Sequence, residues 1–236
     1  MQNNYIELKG VDKAYGKGAS AQKVLRDVTF DIAHGECVAV LGHSGCGKST
    51  LLNVISGIDQ IDSGDITVAG TSLTHLNETD RTLFRRKNIG FIYQSFNLIQ
   101  TLTAIENIHL PLQLNDFPSK ERHELANEML ERVGLTDRAD AFPDQLSGGE
   151  QQRIAIARAL VHSPALVLAD EHTGNLDADT GRQMMDMFAE LTEASGQTVF
   201  MVTHSLSVAK TANRILHFAD GELLSGDTLE DTSLAW

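Results

Sequence analysis

Nine consecutive residues, Gly42, His43, Ser44, Gly45, Cys46, Gly47, Lys48, Ser49 and Thr50, carry the spacing GxxxxGK[ST]. Glycines so placed let successive backbone N–H groups curl around phosphate oxygens. Lys48 would set a point charge on the β- and γ-phosphates of a nucleotide, and the Ser49 hydroxyl can ligate Mg²⁺. The flanks suit that chemistry. Cys37–Leu41 is short and continuously apolar, as a strand buried on both faces is, and Leu51, Leu52, Val54 and Ile55 follow at helical spacing up to Gly57. Strand, glycine-rich turn and helix form the context in which this spacing holds phosphate.

A second group of residues offers the same chemistry. In Leu146-Ser-Gly-Gly-Glu-Gln-Gln-Arg153, Ser147 precedes Glu150 by three residues, and Ile154, Ala157, Leu160 and Val161 follow at helical period. Ser147 and Glu150 read as a capping box that opens a helix. Gly148 and Gly149 strip side chains from its first turn, so a hydroxyl, free N–H groups and the positive helix end face outward together. An ordinary capped helix would look the same in isolation; the upstream phosphate loop favours the ligand reading.

Two further strands end in reactive groups. Ala165–Ala169 is apolar and stops at Asp170-Glu171; Thr198–Val202 is apolar and stops at Thr203-His204. The carboxyl ends of buried strands are where α/β folds collect ligands. Asp170 is therefore the candidate partner of Mg²⁺ and Glu171 the candidate to polarise a water, since neighbours leaving a strand point in opposite directions. His204 is expected to aim at the same site.

The elements that must position these groups alternate between strand and helix. Tyr5–Lys9 and Val24–Ile32 read as strands around a flexible loop at Gly16–Ser20, and Ile66–Val68 and Ile89–Tyr93 as further strands. Glu78–Lys87 reads as a helix in which Arg81, Arg85, Arg86 and Lys87 form a solvated basic face. Ser95–Leu114 is mixed apolar and amide-rich. Ser119 starts a helix with a buried stripe of Leu125, Met129 and Val133, stopping at Gly134. Asp179–Ala194 is a helix with Met184, Phe188 and Leu191 inward, and Arg214–Phe218 and Glu222–Leu224 flank an Asp220-Gly221 turn as a hairpin. The interval from about Gln94 to Arg158 reads as a helical insertion within an α/β protein.

The chain has 236 residues, 42% apolar and 22% charged, which fits a globular α/β protein able to bury a core. Its net charge of −13 argues against binding nucleic acid through general electrostatics. No run of 18 apolar residues is present, so the chain is not expected to span a membrane by itself. The first ten residues lack the layout of a signal peptide, and the two cysteines, Cys37 and Cys46, have no metal-ligand spacing; a reducing, cytoplasmic setting is expected.

Taken together, these residues resemble the ATPase subunits of ABC transporters over essentially the whole chain. The resemblance implies a single domain, 1–236, with a P-loop NTPase (RecA-like) α/β core at about 1–93 and 159–236. It also implies an antiparallel β subdomain and a helical subdomain at about 94–158 that carries the family signature. It implies that Tyr15 stacks on adenine and that Gly42 to Thr50 wrap the triphosphate. Gln94 would sense Mg²⁺ and the attacking water, and Asp170 would hold Mg²⁺ through water. Glu171 would be the general base, and His204 would hold the γ-phosphate. Ser147 and Gly149 would bind the γ-phosphate of ATP on a second copy of the chain, and Asn175-Leu176-Asp177 would couple the two sites. Within the family, the runs from Gln94 and from Leu102 to Asn107, with Thr173–Asp177, look like the lipoprotein-release and macrolide-export group, which is also similar to a cell-division ATPase. That group implies an integral membrane permease partner and a place at the cytoplasmic face of the inner membrane. One departure is His172, where the family usually has proline; without its fixed φ the segment after Glu171 is expected to be looser.

A regulatory ATPase that controls an extracytoplasmic enzyme without moving a substrate fits the same residues, because the difference lies in the partner. Soluble DNA-repair or translation ATPases of this kind carry two nucleotide units or a long coiled coil, and neither is present. The guanine-reading NKxD of small GTPases is absent as well.

Overall fold

The computed structural model describes residues 4–16, 18–170 and 178–224. In chain order it begins with β1 (Asn4–Tyr15), a 3-10 turn at Gly18–Ser20, and β2 (Gln22–Ala33). Then come β3 (Cys37–Leu41), α1 (Lys48–Ile55), β4 (Ser63–Val68), β5 (Thr71–Ser72), α2 (Glu78–Asn88) and β6 (Ile89–Ile92). A helical stretch follows: α3 (Ala104–Leu114), α4 (Ser119–Arg132) and α5 (Gly148–Leu160). The chain continues with β7 (Leu166–Asp170), α6 (Ala178–Glu193), β8 (Thr198–Thr203), α7 (Leu206–Ala209), β9 (Arg214–Ala219) and β10 (Glu222–Leu224). It divides into two compact units, residues 1–81 with 200–236, and residues 82–199, the second division falling inside β8.

The first unit holds an antiparallel sheet of order β2-β1-β4-β5 and a second set of strands of order β10-β9-β3-β8. Val28, Phe30 and Ile32 alternate with exposed residues along β2, so one face of the strand is apolar and buried. Each such side chain contributes about 1.5–3 kcal/mol by leaving water. Phe30 stacks on Phe200 of β8 with ring centroids 5.8 Å apart. On β1 the alternation Ile6, Leu8 breaks before Val11, where the pairing with β2 shifts register. That irregularity is why alternation in the sequence ends the strand at Lys9 while the structure continues it to Tyr15. The expected flexible loop at Gly16–Ser20 contains the 3-10 turn. β3 and β9 pair in parallel from Val38↔Arg214 to Leu41↔His217, and β9 and β10 form the expected hairpin.

Arg81 departs from the expected solvated basic face. It is only 4% exposed, and its guanidinium pairs with Glu78 of the same helix at 2.6 Å. The rest of the cluster behaves as expected: Arg86 and Lys87 are exposed and Arg85 is half-buried.

In the second unit β6 and β7 pair in parallel from Ile89↔Leu166 to Ile92↔Ala169, and the sheet order is β8-β7-β6. α5 lies close against β6: a Cβ on Gly90 would meet the Ala159 carbonyl oxygen at 2.2 Å. Within the amide-rich stretch Ser95–Leu114, α3 forms behind a capping box of its own, Thr103 with Glu106. The buried stripe of α4 is Ala126, Met129 and Leu130, with Val133 just beyond its end; Leu125, expected inside, is half-buried. The helix leans on its Ala126 side, which a pattern of large apolar residues does not reveal. Met184, Phe188 and Leu191 of α6 are buried as expected.

Candidate functional site

The phosphate loop lies in the first unit between β3 and α1. Gly42 has no room for a side chain, because a Cβ there would sit 2.3 Å from the Phe218 carbonyl oxygen and 2.8 Å from Cys46 Sγ. Its N–H donates to Thr203 O at 3.4 Å, tying the start of the loop to the end of β8. Gly47 has φ +114, a conformation side chains resist, and its Cβ would meet Val24 O at 2.9 Å. No side chain caps α1 at Gly47, so the positive end of the helix is left for an anion. Lys48 is 5% exposed and folds back over the loop, its Nζ donating to Gly42 O at 2.8 Å and His43 O at 3.0 Å. The ammonium is thus held where backbone N–H groups and a helix end converge. His43 and Ser44 are exposed at the rim, with Gly45 between them and Cys46. Burial pushes the Cys46 thiol up, so it stays protonated and unreactive at neutral pH.

Tyr15 ends β1 with its ring 42% exposed. Its hydroxyl donates to Asp59 Oδ2 at 2.6 Å, and Lys13 Nζ lies 5.0 Å from the ring centroid. Thr50 lies beside the phenol, so the ring stands at the loop's end. Partial burial, then the Asp59 carboxylate, raise the phenol's pKa, so it remains a donor. His204 follows Thr203 and is exposed. The first unit therefore gathers Tyr15, Gly42 to Thr50 and His204.

In the second unit, the pairing Ile92↔Ala169 places Asp170, the last residue of β7, and Gln94, two residues past β6, at the same carboxyl edge. Gln94 is exposed and Asp170 is half-buried. The loop after Gln94 takes an unusual course, since Phe96 (φ 61) and Asn97 (φ 48) are both left-handed. Arg158 holds that course by donating to the carbonyls of Asn97 at 2.7 Å and Phe96 at 2.9 Å. Asn107, fully buried, holds the next turn: its amide donates to Leu102 O and Thr103 O, and its oxygen accepts from Ile99 N.

Ser147 caps α5 as expected. Its hydroxyl accepts from Glu150 N at 3.3 Å, while Glu150 Oε2 accepts from Ser147 N at 2.8 Å. Ser147 and Gly148 are exposed, Gly149 is half-buried, and nothing lies within 4 Å of a Cβ built on Gly148, so the start of α5 is open to a ligand. Glu171 and the residues to Asp177, including His172 and the Asn175–Asp177 loop, lie outside the described residues.

Asp59, Arg138 and Arg158 were not singled out from the sequence, because each acts through a contact with a residue well separated along the chain, and no spacing rule announces such contacts. Asn107 belongs to the run from Leu102, and its partners lie within eight residues, but its part in holding the turn shows only in the structure. For a metal, the chemistry of the donors is informative. In the first unit Ser49 offers a hydroxyl, and in the second Gln94 and Asp170 offer an amide oxygen and a carboxylate; each is a hard oxygen donor of the kind Mg²⁺ takes and Zn²⁺ disfavours. Among the described residues no cluster of three or more His, Cys, Asp or Glu side chains could hold a metal without other ligands.

Residues 25–174, which span the phosphate loop, Gln94, the Ser147 helix and Asp170, match the ABC transporter family. The chain belongs to that family. It is an ABC ATPase, an ATP-binding subunit. It is 49% identical over 93% of its length to an uncharacterized ABC transporter ATP-binding protein of Mycobacterium tuberculosis, covering 88% of that protein. It is 40% identical to the lipoprotein-releasing system ATP-binding protein LolD of Bacteroides thetaiotaomicron, covering 92% of this chain and 98% of LolD. Among solved structures it resembles a dimeric, post-hydrolysis state of the ATP-binding cassette MJ0796 bound to ADP and Pi. The TM-score is 0.85 at 41% identity, over 92% of this chain and 96% of that one. The fold is that of the ABC cassette: an α/β protein with an antiparallel β sheet, a parallel core sheet and helices that carry Ser147. Among the described residues no helix is long and apolar enough to cross a membrane.

Proposed function

We propose that this chain hydrolyses ATP as one half of a two-chain clasp and drives an integral membrane permease of the lipoprotein-release or macrolide-export type. The observation that carries the reading is the pair of helix N-termini fit for phosphate in one chain, α1 behind Gly42–Gly47 and α5 behind Ser147. One nucleotide needs one such cradle, so the second is for the ATP of another copy. The likeness to a dimeric cassette bound to ADP and Pi, and to LolD, supports this reading.

The residues divide the work of phosphoryl transfer, which asks a protein mainly for position and charge. Tyr15 stacks on adenine, Gly42 to Thr50 wrap the phosphates, and Lys48 balances the charge on β and γ. Ser147 and Gly149 bind the γ-phosphate of the second copy's ATP. His204 holds the γ-phosphate, Glu171 takes the proton of the attacking water, and Gln94 orients that water and reports it to the permease. Ser49, Gln94 and Asp170 hold Mg²⁺, which supplies charge neutralisation at the phosphates when bound. The chain acts as one ABC ATPase domain, with its helical subdomain at about 94–158, peripheral at the cytoplasmic face of the membrane through its permease.

Glu171→Gln tests the clasp. With Mg²⁺ and ATP, this variant is expected to elute as a stable dimer in size-exclusion chromatography. A monomer at every ATP concentration overturns the reading.

A further inference from the structure

The capping box at Ser147 holds an electrostatic conflict. A Ser-x-x-Gln box caps a helix as well as Ser-x-x-Glu, yet this chain has Glu150, a full negative charge at the start of α5. Its two oxygens do different work. Oε2 accepts from Ser147 N at 2.8 Å and from the Ser147 hydroxyl at 2.7 Å. Oε1 lies 3.1 Å from Arg138 Nε. A serine hydroxyl has one proton, and here it points at Glu150. When a γ-phosphate reaches Ser147, that proton must turn to the phosphate, and a carboxylate is left beside an anion.

From these contacts we infer that Arg138 is a positioning residue of the ATP site. By neutralising and anchoring Glu150, it lets the helix cap persist while an anionic phosphate approaches Ser147. The inference rests on the proposed clasp, in which Ser147 faces the nucleotide of a second copy. Arg138 is suited to the task by its origin. It comes from the 3-10 turn Thr136–Arg138, outside α5, so it can fix Glu150 without occupying the helix end. Its side chain is half exposed while that of Glu150 is 19% exposed, so the cation stands on the solvent side of the carboxylate. Ser147 itself lowers the pKa of Glu150, first through its hydroxyl and then through its backbone N–H, and Arg138 adds to this. The carboxylate therefore stays charged, and the need for a cation is permanent. Charge that is partly shielded from water acts across this distance more strongly than a free surface pair.

A charge-swap series in the Glu171→Gln background tests the inference, reading the ATP concentration at half-dimerisation by analytical ultracentrifugation. Arg138→Gln is expected to raise it by about tenfold, with a smaller effect at high salt. Arg138→Lys keeps the charge and should stay close to the parent. Arg138→Gln combined with Glu150→Gln removes both charges and should restore dimerisation to the level of Glu150→Gln alone. If the double variant is as weak as Arg138→Gln, or if Arg138→Lys is as weak as Arg138→Gln, the role is structural and the inference fails. An unchanged midpoint for Arg138→Gln also overturns it. If the parent stays monomeric at every ATP concentration, the clasp itself fails and this inference falls with it.

Discussion

Arg158 on α5 donates to the carbonyl oxygen of Asn97 at 2.7 Å, across 61 residues of sequence. With its second bond, to Phe96 O at 2.9 Å, it ties two consecutive left-handed residues to a helix. A left-handed non-glycine residue costs on the order of 1–3 kcal/mol and persists only where its surroundings hold it. The guanidinium fork satisfies both carbonyls at once, which a lysine cannot do in the same geometry. Arg158→Lys is therefore expected to lose about 1–3 kcal/mol of stability in urea denaturation followed by circular dichroism. Because the loop begins at Gln94, ATP turnover should fall further than ATP affinity. Equal losses in both would mean that Arg158 serves folding alone.

Lys48 bonds the carbonyls of Gly42 and His43, so its ammonium is placed before any phosphate arrives. Replacing it with alanine removes the one buried positive side chain of the loop and leaves two carbonyls without that donor. The Lys48→Ala chain is expected to fold and to lose ATP turnover by roughly 100- to 1,000-fold, the usual effect of deleting one preorganised donor. Turnover by phosphate release and affinity by a fluorescent ATP analogue would show it. Retention of more than a tenth of the activity would contradict the assigned role.

Two glycines with opposite surroundings make a paired prediction about folding. An alanine Cβ at Gly42 would fall 2.3 Å from the Phe218 carbonyl oxygen, a backbone atom that cannot swing aside. At Gly148 nothing lies within 4 Å, and the position begins α5. Gly42→Ala should lower the thermal midpoint sharply or abolish soluble expression. Gly148→Ala should fold at least as well as the parent, since alanine gains roughly 0.5–1 kcal/mol over glycine in a helix. The comparison needs only thermal denaturation of the two variants side by side.

These contrasts show which parts of the molecule are legible in a linear sequence. Gly42 to Thr50 and Ser147 with Glu150 were readable because their chemistry is local, set by spacings of three to eight residues. Thr103 and Glu106 follow the same capping grammar, yet within the interval read as helical the bounds of α3 are not legible, since Pro111 and the amides around it mask the helical period. β5, two residues long, gives periodicity nothing to work on. Arg81 looked like its basic neighbours and is buried, its side chain lying near Gly57, a difference that only packing creates. Arg158 and Arg138 matter through partners that the fold, and not the sequence, brings near.

Acid should destabilise this protein through His162, which follows the last turn of α5. Burial pushes its imidazole down to about 4. The folded chain thus keeps His162 neutral above pH 4, whereas an unfolded chain takes up the proton near pH 6.5. Between these values the unfolded state binds more protons, so stability falls as pH drops from about 6.5 to about 4 and is unaffected by this group above that window. The slope approaches about 1.4 kcal/mol per pH unit and the total about 3.5 kcal/mol at most. His109 is shifted the same way, by burial first and then by the charges of His123 and Arg122, so some slope remains without His162. Urea denaturation of the parent and of His162→Leu from pH 4.5 to 7.5 separates the two. The stability of the variant relative to the parent should rise steadily as pH falls below 6.5 and stay constant above it. A difference that does not change with pH would show that His162 gains its proton as easily in the folded chain as in the unfolded one.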